Sequence, residues 1–190
     1  MSYNIPPEPW HSFLTDVDAL APEEVYLYCL GGFVMQQSYG LPRPTVDIDT
    51  LPIDPRDQTA LLINKAGKNS ELYLKHKVYL DIVGVCDYPE SYDERLTAMF
   101  SGAYKNLRLF ALEVHDLALA KLGRNSPRDR EDIRFLAKKV PLDINILKER
   151  YTKELRPYLA NPTREDLTMN LWIEIIEEDR AKSSREDERI

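Results

Sequence analysis

Two cysteines in 190 residues are too few for a disulfide framework, and neither Cys29 nor Cys86 has another cysteine or a histidine at metal-ligand spacing. Both lie in apolar, strand-like runs and read as small hydrophobes carrying thiols, without chemistry of their own. Long apolar runs are missing as well: no stretch reaches the roughly 18 uninterrupted apolar residues of a membrane helix. Met1 to Trp10 lacks a basic segment followed by an apolar one. A cytoplasmic location with no membrane partner is therefore expected. There is no internal repeat. Nor is there an overall excess of positive charge, since the formal net charge is −7, which argues at first sight against a polyanionic partner.

The distribution of charge qualifies that exclusion. Residues 1–60 hold 9 acidic and 2 basic side chains, residues 61–160 hold 14 and 18, and residues 161–190 hold 9 and 5. A basic middle lies between acidic flanks, so nucleotide phosphates could be met there, although a solvated helix face explains most of those lysines equally well. With 43% hydrophobic and 30% charged residues, the chain suits one buried core with a small appended module.

The chemistry gathers around one stretch. Val25 to Leu30 is rich in β-formers, reads as a central strand, and ends at Gly31-Gly32 before a short helix over Phe33 to Tyr39. A strand, two glycines and a helix allow backbone N–H groups to approach an anion, although a tight turn alone would also explain the glycines. The loop Gly40 to Pro44 then returns the chain and delivers Arg43 and Thr45 just ahead of Asp47-Ile48-Asp49. In a strand, Asp47 and Asp49 project from the same face, and two adjacent carboxylates are tolerated when a hard cation such as Mg²⁺ or Mn²⁺ sits between them. Asp81 interrupts the apolar run Val78 to Val85, where a buried carboxylate is costly unless paired or metal-bound. A cation shared with Asp47 and Asp49 would account for it.

Helices are expected over 54–66, 70–75, 114–123, 142–151 and 165–177, with another starting after Ser126-Pro127, and a hairpin over 92–99 and 106–112 at a sheet edge. Between the helices near 120 and 130 lies a polar string, Lys121, Arg124, Arg128, Asp129, Arg130, Asp132 and Arg134. A salt-bridge network bracing two helices and a functional cluster are both open readings of it. The expected organisation is an α/β domain over 1–140, a helical extension over 141–180 and a disordered tail over 181–190.

Gly31-Gly32, Arg43-x-Thr45-x-Asp47-x-Asp49 and the later Asp81 together resemble the polymerase-β-like nucleotidyltransferase superfamily. Asp116 to Leu122, followed by Arg128-Asp129-x-x-Asp132, looks like the bacterial branch that includes abortive-infection toxin nucleotidyltransferases. The similarity covers about residues 25–140. It implies an α+β fold with a mixed sheet, flanking helices and a C-terminal helical extension. It further implies Mg²⁺ or Mn²⁺ held by Asp47, Asp49 and Asp81, an NTP as substrate, and transfer of its NMP to a hydroxyl on RNA, tRNA included, or on protein. On the same resemblance, Gly31 and Gly32 cradle phosphates and Lys121 meets them as a point charge. Arg43, Thr45 and Arg128 join the nucleotide site, and Asp129 and Asp132 orient Lys121 or a base. A toxin–antitoxin component with a cognate antitoxin is one implied setting. A degenerate binding or regulatory module of the same fold is the alternative. Where many members have Gly-Ser, this chain has Gly32 and then Phe33, so the turn itself offers no hydroxyl.

Overall fold

Val25–Leu30 (β1) is the middle strand of a five-stranded mixed sheet in the computed structural model, which describes residues 5–84, 86–140 and 142–187. The other strands are Asp47–Thr50 (β2), Tyr79–Ile82 (β3), Thr97–Met99 (β4) and Leu107–Ala111 (β5), in the order β3-β2-β1-β5-β4. β1 pairs antiparallel with β2 and parallel with β5, β2 is parallel to β3, and β4 and β5 form the expected edge hairpin. The chain divides into two compact units, Met1–Gly84 with Arg95–Leu112, and Val85–Glu94 with Glu113–Ile190. That division differs from the expected boundary near 140.

The first unit holds the whole sheet. Helix α1 (Trp10–Leu20) buries Trp10, Phe13, Leu14 and Val17 at helical spacing, and Trp10 meets Phe33 edge-on with ring centroids 4.9 Å apart. Phe33 belongs to α2 (Gly31–Tyr39), which starts directly off β1 and ends at Gly40 in the left-handed region, φ 72°. Two short helices, α3 (Gln58–Ala66) and α4 (Glu71–His76), follow β2 and lead into β3. Asp18 fastens the start of β5 to α1, because its carboxylate accepts backbone N–H groups of Lys105 (3.0 Å), Asn106 (2.6 Å) and Leu107 (2.8 Å).

The second unit is helical: α5 (Val114–Leu119), α6 (Pro127–Lys139), α7 (Ile144–Arg150) and α8 (Pro162–Asp187). Its interior includes Ile133, Leu136, Leu147, Leu155, Trp172 and Ile176, and the Trp172 indole donates to Asn125 Oδ1 at 3.1 Å. α8 continues well past residue 181, where a disordered tail is expected. The segment lacks an apolar pattern but is rich in good helix formers, and Arg180 donates to the Leu142 carbonyl at 2.5 Å. Residues 188–190 of that tail, like Val85 in the expected third strand, lie outside the described residues. Among the described residues no helix is long and apolar enough to cross a membrane.

Asp18→Ala leaves three backbone donors without their carboxylate. An unmade bond of this kind costs about 1–3 kcal/mol, so urea unfolding should show a loss of about 2 kcal/mol or more. An unchanged midpoint would mean that water replaces the carboxylate without cost.

Candidate functional site

β2 and β3 run parallel, with Asp47 opposite Tyr79 and Asp49 opposite Asp81. Registered neighbours share a sheet face, and so do residues two apart on one strand. Asp47, Asp49, Asp81 and Tyr79 therefore form a two-by-two block on one face of the sheet. Carboxylates from two separate strands are brought together there, Asp81 by register with Asp49. Asp47 and Asp49 are half-buried, whereas Asp81 is exposed. The expectation that Asp81 is a buried carboxylate is thus corrected: β3 is an edge strand, and only Tyr79 and Leu80 of its four residues are buried.

The diglycine turn packs against this block. A Cβ built on Gly31 would stand 1.9 Å from Asp49 Oδ2, and Gly31 itself has φ 69°, so no other residue fits without moving the carboxylate. A Cβ on Gly32 would stand 2.9 Å from Thr45 Oγ1. Thr45 in turn donates to Asp47 Oδ1 at 2.5 Å. The glycines thus admit the acidic groups to the start of α2, and the hydroxyl missing from the turn is present beside it on Thr45. Arg43 lies half-buried in the loop just ahead.

Neighbouring groups register the collected negative charge. The Cys29 thiol is pushed up by burial and then by Asp49. The Tyr79 phenol is raised by burial and then by Asp47, Asp81 and Asp49, which keeps it a neutral hydrogen-bond donor. Among the described residues, no three His, Cys, Asp or Glu side chains stand ready to hold a metal ion by themselves. Mg²⁺ does not ask for that, because it commonly takes one or two carboxylates and completes its shell with phosphate oxygens and water. Asp47 and Asp49, at the mouth of an N–H-bearing helix start, are a donor pair of that type.

The other expected site residues lie in the second unit. Lys121 is buried, donates to Asp132 at 2.9 Å and stands 3.6 Å from Asp129 Oδ1. Asp129 forms a capping box with Ser126 at the start of α6 and accepts Arg124 Nε at 2.8 Å. Burial pushes the Asp129 carboxyl up, but Arg124 and Ser126 outweigh it and hold it at about 2. Arg128 is exposed on the first turn of α6. Asp116, fully buried, accepts from Arg150 at 2.9 Å, and Arg150 also bonds Glu113. His115 is buried: its Nδ1 faces Glu113 Oε1 at 2.8 Å, and its Nε2 accepts the Asp143 N–H at 2.9 Å.

A family described as "Nucleotidyltransferase of unknown function (DUF6036)" matches residues 14–180. The chain belongs to this nucleotidyltransferase family. No curated protein and no solved structure matches it. A nucleotidyltransferase acts on a nucleotide. Sequence reasoning missed Tyr79, although the same two-residue period that pairs Asp47 with Asp49 pairs Tyr79 with Asp81.

Two expectations follow from this geometry. Gly40 shares a positive φ with Gly31 but has open space around it, so Gly40→Ala should cost only the backbone strain of about 1–2 kcal/mol. Gly31→Ala should cost measurably more in the same denaturant titration, since the Asp49 carboxylate must also move; equal losses would contradict the packing. Separately, burial raises the Glu113 carboxyl, but the His115 hydrogen bond and Arg150 hold it down at about 2, against an ordinary 4.5. The stability it contributes is fully present above pH 4.5 and is lost as pH falls towards about 2. The stability gap between wild type and Glu113→Gln should therefore narrow as urea midpoints are followed down through that window, and a gap independent of pH would count against the assignment.

Proposed function

We propose that this protein moves a nucleoside monophosphate from an NTP to an acceptor hydroxyl, using the acidic block on β2 and β3. The observation that carries the reading is the β2–β3 register, which sets Asp49 directly opposite Asp81 and two residues from Asp47, beside a glycine turn that opens a helix. Asp47 and Asp49 are the residues that would hold Mg²⁺ together with the triphosphate. Bound there, the ion supplies charge neutralisation at the phosphates, the largest requirement of phosphoryl transfer. Thr45 fixes the Asp47 carboxylate in place, and the backbone of α2 faces the phosphates with its N–H groups.

Asp81 lies on the solvent edge of the block, where an acceptor can reach it. It takes the proton of the acceptor hydroxyl as that oxygen forms a bond to the α-phosphorus. The bond from the α-phosphorus to the bridging oxygen breaks in the same displacement, and pyrophosphate leaves with the electron pair. The alternative, a binding or regulatory module of this fold, would retain nucleotide and transfer nothing.

Asp49→Asn keeps the side chain's shape against Gly31 while removing its charge. Titration of ATP, CTP, GTP and UTP with and without Mg²⁺ should find at least one nucleotide that binds the wild type only with the metal, and that loses about tenfold or more, or ~1.4 kcal/mol, in the variant. An α-³²P-labelled NTP should label an acceptor with wild type and not with Asp49→Asn. Metal-independent binding equal in both proteins would contradict the site, and tight binding without label transfer would favour the module.

A further inference from the structure

Tyr79 is the neutral corner of the acidic block, and Lys68 lies beside it. Lys68 Nζ stands 6.0 Å from the Tyr79 ring centroid, within the range of a cation–π contact. On another side the ring is met edge-on by Tyr73, with centroids 5.6 Å apart and planes at 82°. These positions are built by one turn. Gly67 pairs with Leu80 of β3 and accepts the Ser70 N–H at 3.1 Å, Asn69 adopts φ 68°, and Ser70 Oγ caps α4 by accepting the Tyr73 N–H at 3.1 Å. Lys68 and Tyr73 thus sit at two ends of a fixed turn, with Tyr79 between them.

Three features of this corner point to an anion. Among the described residues, Lys68 has no carboxylate partner although three acidic groups lie on the neighbouring strands, so its charge is not consumed by a salt bridge. The Tyr79 phenol has no hydrogen-bond partner among the described residues. Both lie at the β3 edge beside exposed Asp81, while the glycine turn and α2 lie towards β1, against Asp49. Nucleotide and acceptor therefore have separate sides from which to approach.

We infer that Lys68 and Tyr79 form the acceptor side of the site and take a backbone phosphate of RNA whose terminal hydroxyl is presented to Asp81. The inference rests on the proposed transfer reaction and adds the acceptor class to it. A protein acceptor has no phosphate to offer here. Lys68 supplies the compact charge and Tyr79 the directional hydrogen bond. Lys65 and Lys77, in the same stretch of chain, are exposed as well, and a local positive charge is compatible with an acidic protein because its field is short-ranged at physiological salt.

The test uses the full chain, fluorescein-labelled total tRNA and an unstructured RNA oligonucleotide as probes, and the Mg²⁺-bound NTPs as the independent measurement. Lys68→Glu should weaken binding of at least one RNA about tenfold or more and lower the slope of log affinity against log salt by about 1. Tyr79→Phe, which keeps the ring and removes only the phenol, should weaken it less and leave the slope alone. Lys105→Glu, at an exposed site before β5, should change neither. Nucleotide affinity should move less than RNA affinity in Lys68→Glu and Tyr79→Phe and stay within about twofold in Lys105→Glu, and thermal melts report whether Lys68→Glu is folded. Should it melt early, Lys68→Gln serves in its place with a smaller loss of the same sign. RNA affinity unchanged in Lys68→Glu, or wild type that binds Mg²⁺ and NTP but neither RNA, overturns the acceptor assignment and leaves the transfer reaction standing. Wild type that binds no NTP removes the proposed reaction, and this inference with it.

Discussion

Repulsion among like charges on adjacent parallel strands is the constraint around which the rest of the first unit is arranged. Strands lie about 4.8 Å apart, so two carboxylates in register repel by about 1 kcal/mol if fully solvated and by about 3 kcal/mol at the effective dielectric of a protein surface. Asp49 and Asp81 are such a pair, and Asp47 adds a second interaction on the same face. Local structure eases the burden without removing it. Asp81 stays exposed, Thr45 donates to Asp47, and Asp49 lies against the backbone where α2 begins. A cation brought by a nucleotide would convert the remaining repulsion into binding energy.

That arrangement explains why glycine occupies both positions of the turn. The sequence alone suggests that Gly31-Gly32 leaves room for phosphate, and the geometry adds a nearer reason: Asp49 and Thr45 occupy the space in which side chains would stand. The turn and the acidic strand are therefore one unit, and neither can be altered without the other. The edge position of β3 has a similar double effect, because it spares Asp81 the cost of burial and leaves that side of the block open to solvent.

Much of this was legible in the chain. Richness in β-formers marked β1 as a central strand, the spacing from Gly32 to Asp47 allowed one helix and a return loop, and the Asp47/Asp49 period fixed their common face. Asp81 stands beside Asp49 by strand register, and the apolar residues around it signalled a buried strand while the sheet order made it an edge. The helical unit was harder to read. Arg124, Ser126 and Asp129 are close in sequence and their capping box has a local signature, yet the Lys121–Asp132 pair and the tie from His115 to Asp143 depend on how helices pack. The last turns of α8 escaped notice because they lack an apolar face, and helix propensity with a few polar anchors extends the helix there.

The most direct measurement is a crystal structure of the wild-type chain with Mg²⁺ and a non-hydrolysable NTP analogue carrying the base that binds best. The account requires electron density for the metal against Asp47 and Asp49, the triphosphate at the Gly31-Gly32 end of α2, and Asp81 facing the side of the α-phosphate opposite the leaving group. A nucleotide bound away from β2 and β3, or bound there with the metal on neither Asp47 nor Asp49, would contradict it.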